Sequence, residues 1–188
     1  MRDWPRRAHV ETLRLWPDLA LTVDRIESRR ELFLGALLLG SLSRGEGDAI
    51  SDVDLVAVTR PGRWQGAWEV RHVLSSGALA AFDRSEGKSE VAGHTWITPS
   101  LVKVECLITA PGGMRLHEDG VVLVGEDDLT DRFERVAPLT RRQVDDYAAR
   151  LRDTGAISDI ERAFGDLISL LRREVRGDPT ATHGDGVD

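Results

Sequence analysis

Leu37-Leu38-Leu39-Gly40-Ser41-Leu42-Ser43-Arg44-Gly45, followed shortly by Ser51-Asp52-Val53-Asp54-Leu55-Val56, decides how this chain is read. The first run is apolar up to Gly40-Ser41 and reads as a buried strand that ends in a turn. A polar loop follows, then a second strand that carries two carboxylates. Side chains alternate faces along a strand, so Asp52 and Asp54 point the same way. Two like charges held that close repel, and each raises the other's pKa unless a cation sits between them. Hard oxygen donors at that spacing suit Mg²⁺. A glycine turn beside them lets backbone N–H groups approach a phosphate closely. Together these features point to metal-assisted chemistry on a nucleotide.

Composition narrows the field around that stretch. The 188 residues fit one compact domain with a small helical appendage, and 41% hydrophobic residues supply a core. A net charge of −7 argues against a broad nucleic-acid surface, which is normally basic. It is compatible with a cationic or neutral acceptor. Cys106 is the one cysteine, so an internal disulfide and a cysteine zinc site are both excluded. Its place in Val102-Lys103-Val104-Glu105-Cys106-Leu107-Ile108 reads as an inert core thiol. The five histidines, His9, His72, His94, His117 and His183, show no zinc spacing and read as structural or surface residues. Only His94 falls near a site strand. No apolar run reaches the roughly 18 residues of a spanning helix, and Met1 to Arg7 lacks the apolar core of a signal peptide. The expectation is a cytoplasmic protein with no membrane partner.

Periodicity places these residues on elements. Residues 9–30 read as helix in two pieces, broken near Trp16-Pro17-Asp18, with Leu19, Val23 and Ile26 on one face. Strands are expected at 36–41 and 53–58. Pro61-Gly62 is a turn, and 63–75 reads as one helix, with Trp64 and Trp68 packing inward and Gly77 just beyond its end. Strands at 91–98 and 101–109 are joined at Pro99-Ser100, and 121–124 is a fifth. Thr140-Arg141-Arg142-Gln143 matches a capping box, and Ser158-Asp159-Ile160-Glu161 matches a second. The order is that of an α+β fold, a mixed β-sheet flanked by helices. The expected divisions are a core over 1–130, a C-terminal helical unit over 131–176 and a disordered tail over 177–188.

Gly40-Ser41, Arg44-Gly45 and Ser51-Asp52-Val53-Asp54-Leu55 resemble the signature of the nucleotidyltransferase (DNA polymerase β-like) superfamily. The closer likeness is to its small bacterial branch, which includes antibiotic nucleotidyltransferases and the minimal nucleotidyltransferases of toxin–antitoxin pairs. The resemblance spans roughly residues 30–110. It implies a third carboxylate on a later strand, and Glu105 is the candidate, where the family more often has Asp. Leu42 stands where many relatives carry a polar or basic residue.

The resemblance implies nucleotidyl transfer. Asp52 and Asp54 would hold one or two Mg²⁺ ions, which orient a triphosphate for in-line attack at the α-phosphorus. Glu105 would complete the metal site or accept the proton of the acceptor hydroxyl. Gly40 and Ser41 would cradle phosphates, and Arg44 would add charge-assisted bonds. Lys103 alternates with Glu105 on one strand face and reads as an ion-pair partner, with contact to a phosphate as the alternative. Glu46 and Asp48 read as a solvated loop. The nucleotide is expected to be ATP, giving AMP, and the acceptor a small molecule such as an aminoglycoside or lincosamide antibiotic. The alternative acceptor is a helical partner protein, as for an AMPylating antitoxin-type regulator. Transfer to RNA ends and a non-catalytic nucleotide-binding module are further readings. The resemblance also allows a homodimer.

Overall fold

The computed structural model describes residues 17–44, 52–85, 90–116, 120–126, 128–137, 140, 142, 143 and 146. The chain divides into two units, Met1–Tyr147 and Ala148–Asp188, and every described residue belongs to the first. The readings made for residues 9–16, for Glu46 and Asp48, for the Ser158 capping box and for the tail 177–188 lie outside the described residues.

Helix α1 (Pro17–Glu27) is followed by strand β1 (Phe33–Leu39), the single helical turn α2 (Gly40–Ser43) and strand β2 (Val53–Thr59). Two short helices, α3 (Trp64–Glu69) and α4 (Arg71–Leu74), precede strands β3 (Ala80–Ser85), β4 (Val91–Ile97) and β5 (Lys103–Thr109). Strands β6 (Arg115–Leu116), β7 (Val121–Gly125) and β8 (Glu134–Arg135) follow, with a 3₁₀ turn at Leu129–Arg132 before the last. The main sheet has six strands in the order β3-β4-β5-β2-β1-β7. Within this sheet, among the described residues, only β2 and β5 pair in parallel and the other neighbours are antiparallel, while β6 and β8 form a separate parallel pair. The fold is therefore mixed α+β. Among the described residues no helix is long and apolar enough to cross a membrane.

The sheet buries both faces, which explains the unbroken apolar run Phe33-Leu34-Gly35-Ala36-Leu37-Leu38-Leu39. Ala36, Leu38, Leu55, Ala57, Val104, Cys106 and Ile108 face one core, closed by Leu19, Val23 and Ile26 of α1, Ala67 of α3 and Leu74 of α4. Leu37, Val56 and Val58 face the other, closed by Leu116, Leu129 and Phe133. Helix α1 begins on a proline, whose missing N–H costs nothing at that position. Trp64 and Trp68 pack against the first core, their rings stacked 5.9 Å apart, in keeping with the inward reading.

Several expectations needed adjustment. The helix read over 63–75 is two helices parted at Val70, which leaves helical geometry (φ −96°, ψ 8°). Arg71 Nη1 donates to the Trp68 carbonyl at 2.9 Å, the acceptor that an unbroken helix would offer to the residue 72 N–H. Strand β3 escaped the sequence reading altogether. By contrast, Gly62 (φ +69°) completes the Pro61-Gly62 turn, with Arg63 N–H donating to Arg60 C=O. The Thr140 capping box is reciprocal: Thr140 N–H donates to Gln143 Oε1 at 2.9 Å, and Gln143 N–H to Thr140 Oγ1 at 3.4 Å.

Cys106 is 1% exposed, and burial pushes its thiol pKa up to about 12. Thiolate is the reactive form. We expect the native protein to leave Ellman's reagent unreacted at pH 8, and the unfolded chain to titrate one thiol.

Candidate functional site

The parallel pairing of β2 with β5 sets the site. Both strands start at the same end of the sheet, and Val53 lies opposite Val104, Asp54 opposite Glu105. Paired residues share a face, so Asp54 and Glu105 emerge side by side, with Asp52 and Lys103 two residues earlier on the same side. Strand β1 runs the other way, so its C-terminal end arrives at the same place, with Leu39 opposite Asp54. This face is the one that carries the second core at its far end and lies opposite α1, α3 and α4.

Gly40 is shaped by the carboxylate. Its φ is +71°, and a Cβ built there would lie 2.1 Å from Asp54 Oδ2. Left-handed geometry and contact with the carboxylate independently demand glycine. The turn that follows is closed by Ser43 Oγ donating to Gly40 C=O at 2.8 Å and by Arg44 N–H donating to Ser41 C=O at 3.2 Å. Arg44 is exposed.

The carboxylates are met by cations. Lys103 Nζ contacts Glu105 Oε1 and lies 3.7 Å from Asp52 Oδ2. Arg84 Nη2, from β3, lies 3.8 Å from Glu105 Oε2. Burial alone would raise the Glu105 pKa, but Lys103 and then Arg84 outweigh it and hold the carboxyl below its ordinary value. Burial likewise would lower Lys103, yet Glu105 and Asp52 keep its pKa above the usual lysine value. Both are charged at neutral pH. The Arg84 Nε is buried with no hydrogen-bond partner among the described residues.

Asp52, Asp54, Glu105, Gly40 and Lys103 thus gather at one end of one face. The ion-pair reading of Lys103 holds. Arg84 was missed because its strand was missed. Among the described residues no three His, Cys, Asp or Glu side chains converge as a ready metal-holding group.

A second polar cluster lies on the opposite face. His94 pairs across β4 and β5 with Cys106, which faces the helices, and it is 3% exposed. Its Nδ1 lies 2.7 Å from Asp83 Oδ1 and its Nε2 2.8 Å from Ser75 Oγ. Burial lowers its pKa from the ordinary 6.5, only partly offset by Asp83. The unfolded chain therefore takes up the proton at higher pH than the folded one. Stability from this residue is complete above about 6.5 and is lost as pH falls from there through the folded value. We expect the melting temperature to drop between pH 7.5 and 5.0, and His94→Gln to flatten that slope. Glu105 and Asp83, both lowered carboxylates, lose their contribution at lower pH and leave this window to the histidine.

No protein-family model and no curated protein matches this chain.

Proposed function

We propose that the carboxylate face is the centre of a Mg²⁺-dependent nucleotidyltransferase. It moves a nucleoside monophosphate, AMP from ATP in the first instance, onto a hydroxyl of a small acceptor such as an aminoglycoside or lincosamide. One arrangement carries the reading. Gly40 is moulded against Asp54, and Asp54 stands in register beside Glu105. The turn after β1 is shaped to admit the Asp54 carboxylate, and the parallel pairing sets a second carboxylate beside it, which is the support for a cation-binding face.

The donor set suits a hard divalent cation, since Asp52, Asp54 and Glu105 offer only oxygen. Lys103 now supplies the positive charge between Asp52 and Glu105, so those carboxylates already meet a cation in the space a metal ion would share. When bound, Mg²⁺ would neutralise the triphosphate and favour attack at its α-phosphorus. The chain's own part is binding and positioning. Released from Glu105, the Lys103 ammonium can turn to a phosphate oxygen. The Arg84 Nε is a buried donor suited to the same charge. Gly40 lets the turn lie close against the Asp54 carboxylate. Glu105, held below the usual carboxylate pKa, is a weak base, which favours a ligand role over proton abstraction.

We therefore expect Glu105→Gln to weaken Mg²⁺-dependent triphosphate binding by about tenfold or more, as metal-site changes commonly do. A rate loss with unchanged nucleotide affinity would assign Glu105 to proton abstraction instead. The activity itself is tested by incubating the protein with α-labelled nucleoside triphosphates and Mg²⁺, with aminoglycosides and lincosamides, following pyrophosphate and product mass. A nucleotidylated antibiotic supports the reading. Label found only on an added helical partner protein would move the acceptor to protein.

A further inference from the structure

Ser75, His94 and Asp83 form one hydrogen-bonded line on the helix-covered face, away from the carboxylates. Ser75 follows α4, His94 lies in β4 and Asp83 in β3, so register and packing bring together residues far apart in sequence. Ser75 Oγ is 2.8 Å from His94 Nε2, and His94 Nδ1 is 2.7 Å from Asp83 Oδ1. A carboxylate can only accept, so Nδ1 carries a proton. Burial keeps the ring neutral at pH 7. Nε2 is then an acceptor, and the Ser75 hydroxyl donates to it. The weaker alternative acceptor is the His72 carbonyl, at 3.3 Å. Asp83 is itself fixed by Arg71, whose Nε and Nη2 donate to its two oxygens at 2.8 and 2.5 Å. The Arg71 guanidinium in turn sits 4.3 Å over the Trp68 ring.

The line ends at a cavity. Ser75 is 7% exposed, and it lines a cavity of about 240 Å³ together with Leu21, Thr22, Gly77, Ala78 and Trp96. Leu21, Ala78 and Trp96 make the apolar part of the wall, where Leu21 stays 51% exposed, and the charged Asp18 and Arg25 line it as well. Gly77, whose N–H makes no hydrogen bond among the described residues, also lines it.

We propose that Ser75 is the nucleophile of a second, acyl-transfer site, with His94 as its base and Asp83 as a positioning residue, acting on esters of small apolar acyl groups. The Ser75 oxygen attacks the ester carbonyl carbon while its proton passes to His94 Nε2. The bond from the carbonyl carbon to the alcohol oxygen then breaks, and the alcohol leaves with the proton from Nε2. Water repeats the sequence on the acyl-serine, giving a carboxylic acid and restoring the hydroxyl. No oxidant or further reactant is needed. The proposal is independent of the nucleotide site, which lies on the other face of the sheet.

A biotinylated fluorophosphonate and p-nitrophenyl butyrate test it. We expect one phosphonyl adduct per chain, mapped to Ser75, and a burst of one p-nitrophenolate per chain. Ser75→Ala loses both. Asp83→Asn, checked as folded by its thermal melt, slows labelling by about 100-fold or more, the scale of lost base catalysis. The labelling rate of the natural chain should fall as acid protonates His94, with a midpoint below 6.5. Absence of an adduct on Ser75 in the folded protein overturns the proposal. Labelling of Ser75 at an unchanged rate in Asp83→Asn also overturns it. Neither result depends on Ser75→Ala folding.

Discussion

Asp54→Ala should cut nucleotidyl transfer by about 10³-fold, the equivalent of several kcal/mol of charge stabilisation at a metal-assisted centre. The same variant should keep its fold. Asp54 is half-buried at the end of β2, and its loss removes one of several carboxylates crowded on that face. Steady-state kinetics beside a thermal melt checks both halves. Transfer at the natural rate would remove Asp54 from the chemistry.

Gly35→Ala should have the largest effect on stability. Gly35 lies in β1 opposite Gly125 of β7, and the pairing of β1 with β2 shifts register between Phe33 and Gly35. A Cβ there would lie 2.2 Å from the Val124 carbonyl oxygen and 2.7 Å from the Gly125 Cα. Both obstacles are backbone, so no side chain can rotate away. From the other strand the fit is as tight, since a Cβ on Gly125 would lie 2.5 Å from the Leu34 carbonyl oxygen. Overpacking a core usually costs about 1–3 kcal/mol. With the backbone itself blocked, we expect a loss at or above about 3 kcal/mol, or a fall in melting temperature of roughly 6–12 °C for a chain of this size. Thermal unfolding followed by circular dichroism gives the value. A shift of a degree or two would show that β7 can move away from β1.

What was legible in the sequence was local. The period-2 alternation of Asp52 and Asp54, and of Lys103 and Glu105, fixed which side chains share a face. The apolar run before Gly40 marked the strand and its turn. Register was not legible. Nothing in the residues alone states that β2 and β5 run parallel, yet that pairing sets Asp54 beside Glu105. Strand β3 was invisible for a related reason. Ala80-Ala81-Phe82-Asp83-Arg84-Ser85 lacks the β-branched residues that mark strands, and it is held by pairing with β4. Losing β3 hid Arg84 from the carboxylate face and Asp83 from His94. His94 read only as a structural or surface histidine near a site strand, because its partners come from β3 and from the end of α4. The broken helix has the same origin. Arg71 turns toward Asp83, a contact between distant segments, and takes the Trp68 carbonyl as it does so.

The central claim is that the carboxylate face binds a triphosphate through Mg²⁺. Its most direct measurement needs no acceptor: calorimetric titration of the full chain with a non-hydrolysable ATP analogue, with Mg²⁺ and with EDTA. The account predicts saturable one-site binding with Mg²⁺, lost in EDTA and lost in Asp54→Ala. Equal binding with and without the metal, or binding that survives Asp54→Ala unchanged, would contradict it.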